Sequence, residues 1–222
     1  LMSLGIEGPY ILVPHSASGL EAVYWAGKYP DEVEAIIGLD PAVPKQYDCM
    51  PGTHITEMEP QDAEEAVEAM KMNDLLQYRI GLIRLTMDPD SLLAALRSDA
   101  LAEEEKEQYR ALFYTKFCEG SGSTMMRETI CTEHSLQVLL ELYNSPAPDV
   151  PSLFFVSSDE AMLARPYGSL SAWYKIHEDY LAHVTDGKIV YMDCGHYIHA
   201  EEPETVSAEM TAFIESLPRR KE

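Results

Sequence analysis

The sequence is short of positive charge. Its 16 Lys and Arg face 38 Asp and Glu in 222 residues, a formal net charge of -22 at pH 7. Such a chain repels phosphate backbones and anionic lipid surfaces, which argues against nucleic acid or a charged membrane as partner. Part of the acidity is gathered in Glu57 to Glu68 and Glu103 to Glu107, and reads there as solvated helix faces. Cysteine is sparse: Cys49, Cys118, Cys131 and Cys194 lie far apart without a CxxC pair, so neither a zinc ribbon nor a thioredoxin-type site is indicated. The expectation is reduced thiols in a cytoplasmic protein. No apolar run reaches the ~18 residues of a membrane span, and no signal-peptide pattern is visible. A glycine-rich phosphate loop is also missing, since Gly120-Ser121-Gly122 is too short and sits between helical stretches. His54, His134, His177 and His183 have no ligand spacing and read as surface or helix-face groups. Nothing implies a metal or cofactor.

What is present suits a folded α/β protein. Hydrophobic residues make up 46% of the chain, enough for a packed core. Leu1 to Ile6 reads as the end of a helix already in progress, which predicts residues before position 1. Tyr10 to Val13 is a short, unbroken apolar run, the pattern of a strand buried on both faces. Pro14-His15-Ser16-Ala17-Ser18-Gly19 follows as a tight turn. Leu20, Val23, Tyr24 and Gly27 then recur at the spacing of one helix face, ended by Tyr29-Pro30-Asp31. Val33 to Leu39 is a second buried strand, closed by Asp40-Pro41. This strand-helix-strand unit is the building block of a parallel sheet.

From Gln61 to about Asn144 no strand is predicted. Ala63–Thr86, Ser91–Arg97, Glu103–Phe117 and Ser123–Tyr143 read as helices. Strands return at Pro151 to Val156 and Lys188 to Met192, with a helix over Ser169–Val184 between them and a last amphipathic helix carrying Val206, Met210, Phe213, Ile214 and Leu217. The predicted organisation is a core of residues 1–56 and 145–222, interrupted by an all-helical insertion over 57–144.

Each predicted strand ends in a polar group: Ser16, Asp40, Asp159-Glu160 and His196. Parallel strands share one C-terminal edge, where open α/β sheets place their sites. A serine, a histidine and a choice of carboxylates therefore meet on one rim. A serine hydroxyl needs a neutral imidazole to take its proton, and the imidazole needs a carboxylate to set its tautomer. The N–H of Ala17, at a helix start, is placed to meet a developing oxyanion.

The chain resembles the C-terminal two-thirds of an α/β-hydrolase. The family's Gly-x-Ser-x-Gly elbow stands here as Pro14-His15-Ser16-Ala17-Ser18, followed by Gly19. The elbow's His-Ser, the Leu-Glu-Ala helix and Lys28 to Val33 resemble bacterial members, and Gly195-His196-Tyr197-Ile198-His199 with Pro203 resembles the catalytic-histidine loop. The resemblance implies an α/β fold with a parallel sheet and a helical cap, and a cofactor-free serine hydrolase acting on a small ester or amide. Ser16 would be the nucleophile, His196 the general base and Ala17 an oxyanion donor. The family's usual acid position corresponds to Glu160, with Asp159 beside it, while Asp40 matches the acid-bearing strand end of some lipases. His15 reads as a packing group at the elbow and His199 as a support of the histidine loop. The family's earlier strands, which carry the second oxyanion donor, have no counterpart here. A catalytically silent binding protein and a truncated gene product are the rival readings.

Overall fold

The computed structural model describes residues 5–49, 55–57, 59, 65, 68–69, 71–72, 76–77, 80–86, 88–91, 102–113, 133–158 and 168–218. The chain forms two compact units, one of Leu1–Ile55 with Leu140–Glu222 and one of Thr56–Leu139.

The first unit is built on a parallel sheet of four strands in the order β1-β2-β3-β4. They are β1 (Tyr10–Leu12), β2 (Val33–Leu39), β3 (Ser152–Ser157) and β4 (Gly187–Met192). Sequential strands are neighbours, as right-handed crossovers favour. The registers run Leu12 beside Ile36, Ile37 beside Leu153 and Phe154 beside Ile189. All six residues of β3 are buried, which is why its sequence shows no polar alternation. β1 is an edge strand and only half-buried, with Val13 45% exposed beyond it. Its apolar run predicted burial on both faces; lying at the sheet edge prevents that.

Alternate side chains of the strands feed two layers. Ala35, Ile37, Leu39, Leu153 and Phe155 pack with Val206, Phe213 and Leu217 at the C-terminal helix. On the other face, Phe154 stacks on Tyr180, ring centroids 5.4 Å apart, and meets His177 edge-on.

Helix α1 (Ser18–Lys28) buries Gly19, Ala22, Val23 and Ala26. The face expected from sequence was Leu20, Val23, Tyr24 and Gly27, one position out of phase. Close approach decides the difference: a Cβ on Gly19 would stand 2.3 Å from the Ala42 carbonyl oxygen, so only small residues fit that side. The C-terminal helix (Pro203–Ser216) starts on proline at its first turn, and Val206 and Phe213 face the core.

In the second unit, the described helices include α2 (Ile83–Thr86), α3 (Glu103–Leu112) and the start of α4 (Glu133–Asn144), which ends in the first unit. Glu103, Glu104 and Glu105 are exposed in the first turn of α3, where their charge suits the helix N-terminus. Lys106 pairs with Glu103 at 2.8 Å, and Arg110 with Asp90 at 2.7 Å. No strand occurs among the described residues of 61–144, and no described helix is long and apolar enough to cross a membrane.

Candidate active site

Three strand ends build the site. After β1 the chain bends so sharply that Ser16 takes a φ of 57°, a left-handed conformation that non-glycine residues seldom hold. The bend is held from several sides. The N–H of Leu39 donates to the Pro14 carbonyl at 2.8 Å, and the N–H of Ala42 to the Ser16 carbonyl at 2.8 Å. Ser18 grips the backbone of His15 twice: its hydroxyl donates to the His15 carbonyl (2.8 Å) and accepts from the His15 N–H (3.0 Å). The Pro14 carbonyl is one that any residue would offer, whereas the Ser18 hydroxyl supplies a brace that glycine cannot.

Asp40 follows β2, also with a positive φ, of 46°. Its side chain is fully buried, so its charge needs donors on every side. One oxygen, Oδ1, accepts from the Ser157 N–H (2.9 Å) and the Trp173 indole N–H (3.2 Å). The other, Oδ2, is 2.7 Å from His196 Nδ1. The polarity of that contact follows from chemistry: an ionised carboxylate only accepts, so Nδ1 donates, and in a neutral ring that tautomer leaves the lone pair on Nε2.

His196 comes after β4, on the loop over Asp193 to Tyr197. That loop is tied down through Gly195 N–H to the Glu201 carboxylate (3.1 Å) and the Cys194 carbonyl, which accepts from the Ser157 hydroxyl (2.7 Å). His15 lies against the loop. Its Nε2 sits 3.0 Å from the His196 carbonyl, and its ring is 4.5 Å from that of His196 and 5.1 Å from that of His199. Since a carbonyl only accepts, His15 donates there. Burial lowers the His15 pKa, and the imidazoles of His196 and His199 act in the same direction.

The structure thus brings His15, Asp40 and His196 together, with Ser16 one residue from the first. Among the described residues no hydrogen bond joins the Ser16 hydroxyl to His196. Such bonds often tighten only when substrate is bound. The N–H of Ala17 makes no backbone hydrogen bond among the described residues, while those of Ser18, Gly19 and Leu20 are all taken. Asp159 and Glu160, the other two carboxylates considered from sequence, lie outside the described residues. A cavity of about 960 Å³ lies elsewhere in the first unit, between Val23 and Ala26 on one side and Ala172 and Ile176 on the other. No group of the strand-end cluster lines it, so it is a separate feature from the site.

Sequence reasoning missed Trp173 and Ser157. Trp173 is 133 positions from Asp40, and the bond from Ser157 comes from its backbone N–H, which no side-chain pattern announces.

The fold is that of the α/β-hydrolases. The chain is similar to an epoxide hydrolase from Bacillus megaterium, with a TM-score of 0.58 and 18% identity, covering 97% of this chain and 72% of that one. It is also similar to a loop variant of the haloalkane dehalogenase DbeA from Bradyrhizobium elkanii, with a TM-score of 0.57 and 17% identity, covering 97% and 70%. Among curated proteins it is 29% identical over 208 residues to YbdG, an uncharacterized protein of Bacillus subtilis (strain 168). That match takes in 93% of this chain and 58% of YbdG, so the chain spans less than two thirds of its relative. No protein-family model matches the chain.

Proposed function

We propose that this chain is a serine hydrolase that cleaves an ester bond through an acyl-enzyme intermediate, with an amide as the less reactive alternative substrate. Ser16 Oγ attacks the carbonyl carbon while His196 Nε2 takes its proton. The imidazolium then returns that proton to the leaving alkoxide, and a water molecule, deprotonated in turn by His196, releases the acid. Asp40 keeps the proton on Nδ1 and stabilises the imidazolium. The Ala17 N–H is the oxyanion donor contributed by this segment.

The observation that carries the reading is the 2.7 Å contact between buried Asp40 and His196, made beside a serine held at positive φ. It favours Asp40 over Glu160 as the acid. The neighbours named above act on epoxides and haloalkanes, but position 16 here is a serine, and a carboxylate nucleophile would need an aspartate there.

A fluorophosphonate probe tests this. Residues 1–222 should be labelled at Ser16, and Ser16→Ala should abolish both labelling and hydrolysis of p-nitrophenyl acetate. An unlabelled, folded protein, at concentrations where a control hydrolase reacts, would favour the silent binding protein instead.

A further inference from the structure

We propose that Trp173 and His177 are positioning residues for the acid, holding Asp40 by its carboxylate and by its following peptide at once. This inference rests on the assignment of Asp40 and His196 made above. Both residues belong to the helix α5 (Leu170–Leu181), four positions apart and so on one face. Both are buried, Trp173 at 2% exposure and His177 at 0%. The Trp173 indole N–H donates to Asp40 Oδ1. His177 Nε2 lies 2.8 Å from the carbonyl of Pro41, the residue after Asp40. Its Nδ1 lies 2.7 Å from the Trp173 carbonyl, and the two rings meet edge-on with centroids 4.5 Å apart.

Trp173 and His177 bring polar atoms to a buried helix face shared with Ile176, Tyr180 and Leu181, and such groups need an explanation, because leucine or phenylalanine would fill the same space without hydrogen-bond requirements. The contacts described above run from the pair to Asp40 and Pro41 and back to the helix itself. The demand comes from Asp40, which combines a buried charge with a left-handed backbone, and neither persists unless its surroundings fix it.

The chemical consequence falls on His196. The donors from Trp173 and Ser157 draw negative charge toward Oδ1 and turn Oδ2 to Nδ1. Without the indole donor the charge concentrates on Oδ2, and the imidazolium of His196 becomes easier to form. Among the described residues, the ionisable groups beside His196 include His15 from the elbow and Tyr197 from its own loop, with the Glu201 carboxylate accepting from the neighbouring Gly195 N–H. None of these is itself changed by a substitution at Trp173.

The test is a titration of the His196 ring by NMR, which does not require turnover. In Trp173→Phe the midpoint should rise by about half a pH unit, and kcat/KM for p-nitrophenyl acetate should fall about tenfold with KM little changed. A benzothienyl analogue incorporated at Trp173, which keeps the bicyclic ring and lacks only the N–H, should give the same shift and serves if the phenylalanine variant does not fold. His177→Gln, which keeps one donor toward the Pro41 carbonyl, should retain kcat/KM within about threefold, whereas His177→Ala should lose about tenfold. An unchanged midpoint in a folded protein lacking the indole N–H overturns the proposal, as does His177→Gln behaving like His177→Ala. A wild-type protein without turnover would remove the hydrolase reading while leaving the titration to decide this one.

Discussion

The two oxygens of Asp40 have different partners, and that division predicts what an amide would do there. In Asp40→Asn the side-chain oxygen can still accept from Ser157 and Trp173, which leaves the NH2 facing His196 Nδ1. The imidazole must then carry its proton on Nε2, the nitrogen that should receive the one from Ser16. We expect kcat to fall by about 10⁴-fold with little change in fold, as wrong-tautomer variants of such triads do. Glu160→Gln should stay within about threefold of wild type. Steady-state kinetics on the two variants decides the matter, and the reverse pattern would move the acid back to Glu160. The sequence left these carboxylates in competition because both follow strands that end on the same rim. The contact that favours Asp40 spans 156 positions and joins the segments that follow β2 and β4.

At the scale of elements, α1 shows packing overruling pattern. Periodicity identified the helix and its extent, but an apolar stripe cannot reveal how closely a helix approaches its neighbour. Gly19 is the point of contact with Pro41 and Ala42. Replacing a helical glycine by alanine ordinarily stabilises by up to about 1 kcal/mol. Here the added carbon would meet backbone atoms that have no rotamer to escape into, and overpacking costs about 1–3 kcal/mol. Gly19→Ala should therefore be destabilised in urea denaturation, and because the obstruction lies against the Ser16–Ala42 link, probe labelling should slow as well. A variant as stable as wild type would show that α1 can move away at little cost. The elbow carries the same lesson. Ser18 looks like damage to a glycine signature when read as a letter, while its hydroxyl makes two hydrogen bonds to the backbone of His15. Those bonds run to backbone atoms, which a motif does not record.

At the scale of the molecule, the formal net charge is -22, whereas a pH response near neutrality is expected from particular histidines. Burial lowers the pKa of both His15 and His177. A histidine whose folded pKa lies below its unfolded value of about 6.5 takes up protons preferentially in the unfolded chain. Its contribution is therefore present above that value and is lost as the pH falls through it. Thermal unfolding should show a lower Tm at pH 5.5 than at pH 7.5, and the drop should be smaller in His177→Gln, which isolates the histidine from the carboxylates that also titrate on acidification. An equal drop in both proteins would mean that His177 takes no part. The fold is shared with enzymes whose chains are longer than the match.

The sequence by itself determined the alternation of strands and helices in the first unit, the place of β1 to β4 and the four polar strand ends. Those features depend on local patterns: continuous apolar runs, helical spacing and turn residues. It also determined that Ser16 and His196 belong to one edge, because parallel strands leave no other arrangement. Only the tertiary structure decided that the Asp40 carboxylate lies against His196, that Gly19 of α1 meets the loop after β2, and that the Trp173 indole donates to Asp40 while His177 lies against the Pro41 carbonyl. Each of these depends on distances between segments more than a hundred positions apart or on backbone groups, and on how far a buried charge must reach for its donors. Local composition holds no record of either.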